Sequence, residues 1–553
     1  MMPIAQKTKE LMREWRFALV LGGLMVAFEL TVMALIVSGT PEGQRWLGAT
    51  IFNTGDVPVY LDYLAQAKDS FLLYNLYNNL PQIPRFDLFW SLGGLLVRLG
   101  LAPLWAHEIL RWICTLALAI AVYATARAVT RNGRQARIAS LLMVSGLSTG
   151  WLYDLWMGLN KQWTPNSLAT ADLASEFAIA PVLLGGAHMI LSIALQLLVA
   201  RWIWEVISQD RKTRLWPVSL ILFALSFFHP YFIPLFGLIA ILALGFSLKT
   251  GPWTKSVWSF LCINAAMLPG AGYYLWLVLN DSAFRVHHLQ ANRLPLDPWY
   301  FWVIMLLPFI PAICWMITKN QKPISKQDPK SNFDSSELTE DQIQNSVWVW
   351  AWLASAAVCM LLPFPWMRKY TQALLPALVM LTLPFWLMLA DKLWTKQVIW
   401  PLNICLSLLV AFPFLHLLQT QSFMVVDPYW QKNFYRPDAL FQAWDYIRHS
   451  APPDSLTIAM DLWSSHWTPT YTLRRTWIGH LHETPDFMNR IGPYRQWIQT
   501  QDQDIFRSYL ATTPVTHIIA TTPADADRVA RLIDRQDWRP VFEEAGVAVW
   551  QRK

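Results

Sequence analysis

Two aspartates open the chemical case. Asp56 and Asp62 lie in the segment AsnThrGlyAspValProValTyrLeuAspTyr (53–63). Their spacing of six residues puts them on different faces of an ideal helix. A turn at Gly55–Pro58 followed by a helix would leave Asp56 at the helix mouth instead. A carboxylate there has three roles open to it. It could deprotonate an incoming hydroxyl as general base, orient a cationic or metal-bound group, or cap the first amides of the helix. A second constellation lies far along the chain, in TrpIleGlyHisLeuHisGluThrProAspPhe (477–487). His480 and His482 beside Glu483 suggest a metal site, yet the spacing is not the i, i+4 pair of a zinc hydrolase. A loop covering a substrate and an ordinary structured turn stay open for the same run.

The elements that must position these residues are mostly membrane helices. Of 553 residues, 54% are hydrophobic and only 15% charged, against about 25% charged in soluble domains. The apolar residues form long runs separated by short polar loops, and the 32 Trp suit a membrane–water interface. The net charge of +7 comes from Lys and Arg spread over short loops, which excludes nucleic acid as a partner. Cys114, Cys262, Cys314, Cys359 and Cys405 all lie inside apolar runs, so they read as packing residues rather than a disulfide or zinc framework.

The first span covers Phe17 to Val37 behind a basic N-terminus and reads as an uncleaved helix. Further spans fall near 104–128, 138–153, 177–200, 215–229, 231–248, 256–280, 299–318, 347–364, 370–390 and 398–419, about eleven in all. His229–Pro230 is a natural break in the stretch 215–248. Every second loop is basic, as in Arg127/Arg131/Arg134/Arg137, Arg211/Lys212/Arg214, Lys249/Lys255 and Lys392/Lys396. That pattern puts the N-terminus in the cytoplasm of a multi-pass protein of the plasma (inner) membrane, and the tail outside. The expected domains are a transmembrane region, 1–420, with a large first outer loop at 38–103, and an extracytoplasmic α/β domain, 421–553. Within the tail, 439–447 and 523–534 read as helices, and 456–460, 516–520 and 547–550 as strands. The apolar segment 86–100 is too short to span and reads as an interface helix.

A basic N-terminal segment, one helix, a large outer loop with an early Asp, an interface helix, and AlaHisGluIleLeuArg (106–111) at the next span together resemble the GT-C superfamily of integral membrane glycosyltransferases. That superfamily includes protein mannosyltransferases, oligosaccharyltransferases and the aminoarabinose transferase. The resemblance covers roughly residues 10–130 and the general topology. It implies a sugar moved from a polyprenyl-phosphate carrier to an acceptor at the outer face, with membrane lipid as surroundings. It also implies that the early aspartate serves as base or helps hold a divalent metal. That role falls on Asp56, with Asp62 second. An adjacent acidic pair common in the superfamily is missing, which leaves the metal open.

A carrier phosphate needs cations near the interface, and the fork of Arg suits it. Arg285, His287, His288 and Arg293 in one outer loop, and Arg368 with Lys369 in TrpMetArgLysTyr (366–370), are the candidates. Asp154 in a Trp-containing outer loop could line the same cavity, and His480 and His482 could close over it. Glu108 and Arg111 have the spacing of a structural pair, and Glu29 is an ionisable group inside the first span. The competing reading is a non-enzymatic polytopic protein, either a transporter of a lipid-linked or polysaccharide substrate or a scaffold subunit. A transporter concentrates polar residues at mid-membrane, and this sequence has few there.

Overall fold

A computed structural model describes residues 4–50, 54–130, 133–146, 179–250, 253–286, 306–320, 340–362, 367–394 and 399–553. Among them, six helices are long and apolar enough to cross a membrane: Trp15–Ser38, Pro103–Val129, Ala187–Ser208, Pro230–Lys249, Trp253–Asn280 and Lys369–Leu389. Shorter apolar helices cover Leu88–Arg98, Leu307–Thr318, Val347–Leu361 and Val410–Val426. The chain is a mainly α, multi-pass membrane protein with a small C-terminal sheet. Each expected span meets a helix within the described residues.

Two boundaries differ from the sequence pattern for local reasons. The expected span 177–200 begins as the short turn Ile179–Val182, and the long helix starts only at Ala187. Pro181 and the pair Gly185–Gly186 interrupt the apolar run there. At 215–248 the first helix, Leu215–Phe228, ends where His229 leaves helical geometry (φ −144, ψ 59). A 3-10 turn at Pro230–Phe232 follows, and the next helix, Ile233–Thr250, begins after it. The chain breaks at His229 rather than bending.

Two compact units emerge from the contacts. The first comprises Met1–Thr31, Arg111–Gly272 and Leu294–Thr420; the second comprises Val32–Leu110, Tyr273–Arg293 and Gln421–Lys553. Within the first, Arg111 places its Nε 3.3 Å from Glu29 Oε2, and Thr115 donates to Glu29 Oε1 at 2.5 Å. All three residues are buried. The Glu29 found in the sequence thus has Arg111 as its counter-charge, while the Glu108 carboxylate lies 3.3 Å from His107 Nδ1.

The second unit joins the large first outer loop to the tail. Strand β1 (Gln44–Trp46) pairs antiparallel with β4 (Tyr435–Pro437), and the short β2 (Leu72–Leu73) and β3 (Arg85–Phe86) pair with each other. The tail sheet is formed by β5 (Leu456–Ala459), β6 (Arg475–Thr476), β7 (His517–Ala520), β8 (Trp538–Glu544) and β9 (Val547–Arg552), in the order β6-β5-β7-β9-β8. Strands β5, β6 and β7 run parallel, and β8–β9 form an antiparallel hairpin. Its turn needs left-handed backbone at Ala545 (φ 45) and Gly546 (φ 80). A Cβ at Gly546 would also meet the Pro523 ring at 2.3 Å. Ile458, Trp497, Phe506, Ile518, Val529 and Trp550 form the core of the tail. The expected helices and strands of the tail all form, as Asp438–Ser450, Pro523–Leu532, β5, β7 and β9.

One tail helix, Leu462–Thr472, has no apolar period in its sequence LeuTrpSerSerHisTrpThrProThrTyrThr, yet most of it is buried. Two of its hydroxyls bond back to the helix, and others reach outside it. Thr468 donates to Ser464 O and Thr472 to Thr468 O, at 2.8 and 2.7 Å. Asp461 caps it by accepting from Ser464 N and is itself paired with Arg436.

Candidate active site

The helix Val57–Gln66 starts where the sequence places a turn, with Pro58 in its first turn. Asp56 occupies the N-cap position, but its side chain makes no cap hydrogen bond. Instead Asp56 Oδ1 accepts from His480 Nε2 at 2.9 Å, and Oδ2 accepts from Tyr60 OH at 3.4 Å. The Asp56 side chain is 35% exposed and that of His480 only 5%, so the carboxylate faces open space while its anchor is buried.

The ring of His480 is fixed from the other side. Its Nδ1 accepts the backbone N–H groups of His482 and Glu483, at 3.0 and 3.1 Å. A nitrogen that accepts two N–H groups carries no proton, so the ring proton sits on Nε2 and points at Asp56. Both nitrogens of His480 are thereby engaged, and the His-x-His-Glu metal arrangement read from the sequence does not form around it. Among the described residues no three His, Cys, Asp or Glu side chains are grouped so as to hold a metal ion.

The backbone that carries Asp56 is held as tightly. His466 Nε2 donates to Gly55 O at 2.6 Å, Thr470 Oγ1 to Pro58 O at 2.8 Å and Tyr471 OH to Leu47 O at 2.9 Å. All three come from the Leu462–Thr472 helix. Burial, with the neighbouring His480 ring adding to it, pushes His466 down to about 3, so its imidazole is neutral at pH 7. Tyr77 OH donates to His466 O at 2.8 Å, and its ring lies 5.8 Å from that of His480. The Tyr/Asn-rich run 74–79 is bonded to the tail as well. Asn75 Nδ2 donates to Glu483 O, Thr476 N to Leu76 O, and Arg490 to Asn79 Oδ1.

Asp62 is placed differently. It is fully buried one turn ahead of Gln66, which donates to Oδ1 at 3.0 Å, while Oδ2 has no hydrogen-bond partner. Burial raises its carboxyl well above the usual range, with the Glu483 carboxylate adding to the effect. Asp62 is a core acid whose burial disfavours its ionised form. Arg85, which sequence reasoning passed over, lies 3.9 Å from Glu483 Oε2 and stacks over the Tyr63 ring at 4.9 Å. Tyr60, Trp90 and His107 stack nearly parallel, with the Tyr60 ring 5.1 Å from Trp90 and 6.1 Å from His107. No local sequence pattern links these three rings, which lie on separate helices.

Of the remaining sequence candidates, Asp154, His287, His288 and Arg293 lie outside the described residues. Arg368 and Lys369 fall in the 3-10 turn Met367–Ala373 of the first unit. His482 contributes its backbone N–H to His480, and its ring lies 5.8 Å from that of His480. The structure therefore brings together Asp56 and His480, separated by 424 residues, and adds Tyr60, His466 and Tyr77 around them.

No family model and no curated protein matches the chain. Among solved structures it is similar to ArnT from Cupriavidus metallidurans in the apo state, at 12% identity and a TM-score of 0.48, over 96% of this chain and 97% of that one.

Proposed function

We propose that the chain is a membrane glycosyltransferase of the GT-C type, moving a sugar from a polyprenyl-phosphate carrier to an acceptor hydroxyl at the outer face. The observation that carries this reading is the state of Asp56. It stands at a helix N-terminus without capping it, held part-exposed by the buried His480. A carboxylate whose only task was to cap would turn toward the amides, as Asp87 does by accepting from Trp90 N at 3.1 Å. In the reaction, the acceptor oxygen bonds to the anomeric carbon as its proton passes to the Asp56 carboxylate. The bond from that carbon to the carrier phosphate breaks, and the phosphate leaves with the electron pair. His480 is a positioning residue, because its proton donates to Asp56 and its other nitrogen is occupied.

The test uses purified protein in lipid with a panel of labelled polyprenyl-phosphate sugars, wild type beside Asp56→Asn. Removing a general base lowers the rate by about 10²–10⁴, so carrier-phosphate release should fall by at least the lower figure. Full release by a well-folded Asp56→Asn protein would overturn the assignment.

A further inference from the structure

One corner of the first unit gathers more cations than its acids can neutralise. Just past the end of the helix Ala187–Ser208, Glu205 takes Arg201 Nε at 2.6 Å and Arg211 Nη1 at 3.8 Å, and its other oxygen pairs with Arg214. Asp210 takes Lys255 Nζ at 3.5 Å. Those two carboxylates are thereby used, and Lys212 has no acidic partner among the described residues. Lys212 instead lines a cavity of about 410 Å³, together with Leu215, Thr254, Lys255, Trp258 and Ser259. That size falls within the ~300–1,000 Å³ of small-ligand sites. One wall is the 3-10 turn Lys212–Arg214 with the helix it leads into, and the other is the first two turns of the helix Trp253–Asn280. The second wall is pinned where Ser256 meets Ser247 of the Ile233–Thr250 helix at 2.5 Å, with both side chains buried. Trp258 and two sequence neighbours of the lining residues, Trp216 and Trp253, are 65%, 69% and 61% exposed. Exposed Trp rings on a membrane protein favour the head-group level, so they mark where the membrane surface meets this cavity.

From this convergence we infer that the cavity between Lys212 and Lys255 binds the head group of an anionic phospholipid. Two ammonium groups and the hydroxyls of Thr254 and Ser259 can donate, and the free oxygens of a phosphodiester only accept. Leu215 and Trp258 give the cavity an apolar side, which suits the start of the acyl chains and is of no use to a soluble anion. A zwitterionic lipid would set its own cation against the two lysines, so the site selects lipids of net negative charge. The same lysines repel a metal cation. Lys255 can serve Asp210 and the lipid together, because an ammonium has three donors and an exposed ion pair holds it only weakly. By the charge pattern of the sequence these loops are cytoplasmic, and the lipid would belong to the anionic inner leaflet. The cavity shares no residue with the Asp56 centre, and the inference makes no use of the glycosyltransferase reading.

The experiment titrates the full chain in detergent with dioleoyl phosphatidylglycerol or dioleoyl phosphatidylcholine and reads the lipid-bound fraction by native mass spectrometry. Wild type should retain phosphatidylglycerol at least tenfold more tightly than phosphatidylcholine. A lysine facing anionic lipid is worth about fivefold in binding, so Lys212→Gln and Lys255→Gln should each weaken retention by that factor. Lys249→Gln removes an exposed charge that does not line the cavity, and it should stay within twofold of wild type. Asp210→Asn frees Lys255 from its competitor and should tighten retention by twofold or more, a gain that a folding defect cannot imitate. Its backbone is left-handed (φ 51), a conformation that Asn adopts readily. Equal retention of the two lipids would overturn the inference. So would an equal loss in Lys249→Gln and Lys212→Gln, which would mean diffuse attraction without a built site. Release of phosphatidylglycerol by inorganic phosphate would also overturn it, by assigning the cavity to a soluble anion.

Discussion

Replacing His480 by asparagine and by glutamine separates the two tasks of its ring. Asparagine places its amide near Nδ1 and can keep accepting the N–H groups of His482 and Glu483, but it cannot reach Asp56. Glutamine places a donor near Nε2 and can keep the Asp56 bond, but it gives up the two backbone N–H groups. An unsatisfied buried N–H costs about 1–3 kcal/mol, so His480→Gln, which strands two, should lose roughly 2–6 kcal/mol of stability. The bond to Asp56 is charge-assisted, at about 1.5–3 kcal/mol in a buried site. The Asp56 side chain is 35% exposed, so solvent screening brings that down to about 1 kcal/mol. His480→Asn should therefore melt near wild type. Its carrier-phosphate release should fall by about tenfold, which corresponds to 1.4 kcal/mol of lost orientation. His480→Gln should show the reverse: a lower melting temperature and a rate within a few fold of wild type at a temperature where it is folded. Thermal denaturation in detergent and a release assay in lipid read both quantities. If His480→Asn kept full activity, or if the two variants moved stability and rate together, the argument for His480 as the positioning group would be refuted.

Asp62→Asn should leave stability within about 1 kcal/mol of wild type and activity within a few fold, since burial disfavours the ionised carboxyl and an amide keeps the Gln66 bond; an inactive but folded Asp62→Asn protein would make Asp62 the reacting group. Within the membrane region, Glu29→Gln or Arg111→Met alone should cost about 3–5 kcal/mol by stranding a buried charge, and the double variant Glu29→Leu with Arg111→Met should recover most of it; equal melting of single and double variants would refute the pairing. Burial holds His466 down to about 3 and His517 to about 4, both below the ~6.5 of an unfolded histidine. The unfolded chain therefore takes up protons first as pH falls, so stability is full above about pH 6.5 and is lost toward pH 4, by a few kcal/mol per histidine. Denaturant titrations at a series of pH values should show that slope, and His517→Gln should flatten it; a pH-independent midpoint between 4 and 6.5 would show that neither ring is buried neutral.

The legible parts of the molecule were those with a period. Among the described residues, long apolar runs mark where the membrane helices lie, apart from the break before Ala187, and the alternation in LeuThrIleAlaMet and ValAlaValTrp marks two strands of the tail. Asp56 at a helix mouth was legible too, because Gly55 and Pro58 bracket it. The Leu462–Thr472 helix was not, since Ser and Thr are poor helix formers and Pro469 sits inside it. In its buried setting Thr468 and Thr472 bond back to the helix, while Ser465, Thr470 and Tyr471 bond to neighbouring segments. The pairing of Asp56 with His480 was equally out of reach. Both residues stood out separately, but nothing local links positions 424 apart. The aspartate looked like a cap and the histidine like half of a metal site, and only the fold shows that each occupies the other.

That mutual occupation bears on what the tail does. In the proposed role of general base, Asp56 must be held within a fraction of an ångström of its working geometry, and a loop tethered only at its two ends does not supply that. Asp56 is steadied at its side chain by His480, at the preceding carbonyl by His466 and two residues later by Thr470. All three supports come from the tail, on elements whose own groups are bonded inward: His480 by two amides, His466 by burial against Tyr77, Thr470 by a capped helix. Deleting the tail would therefore remove the order of Asp56 along with the sheet, and activity would not survive as a property of the membrane helices alone.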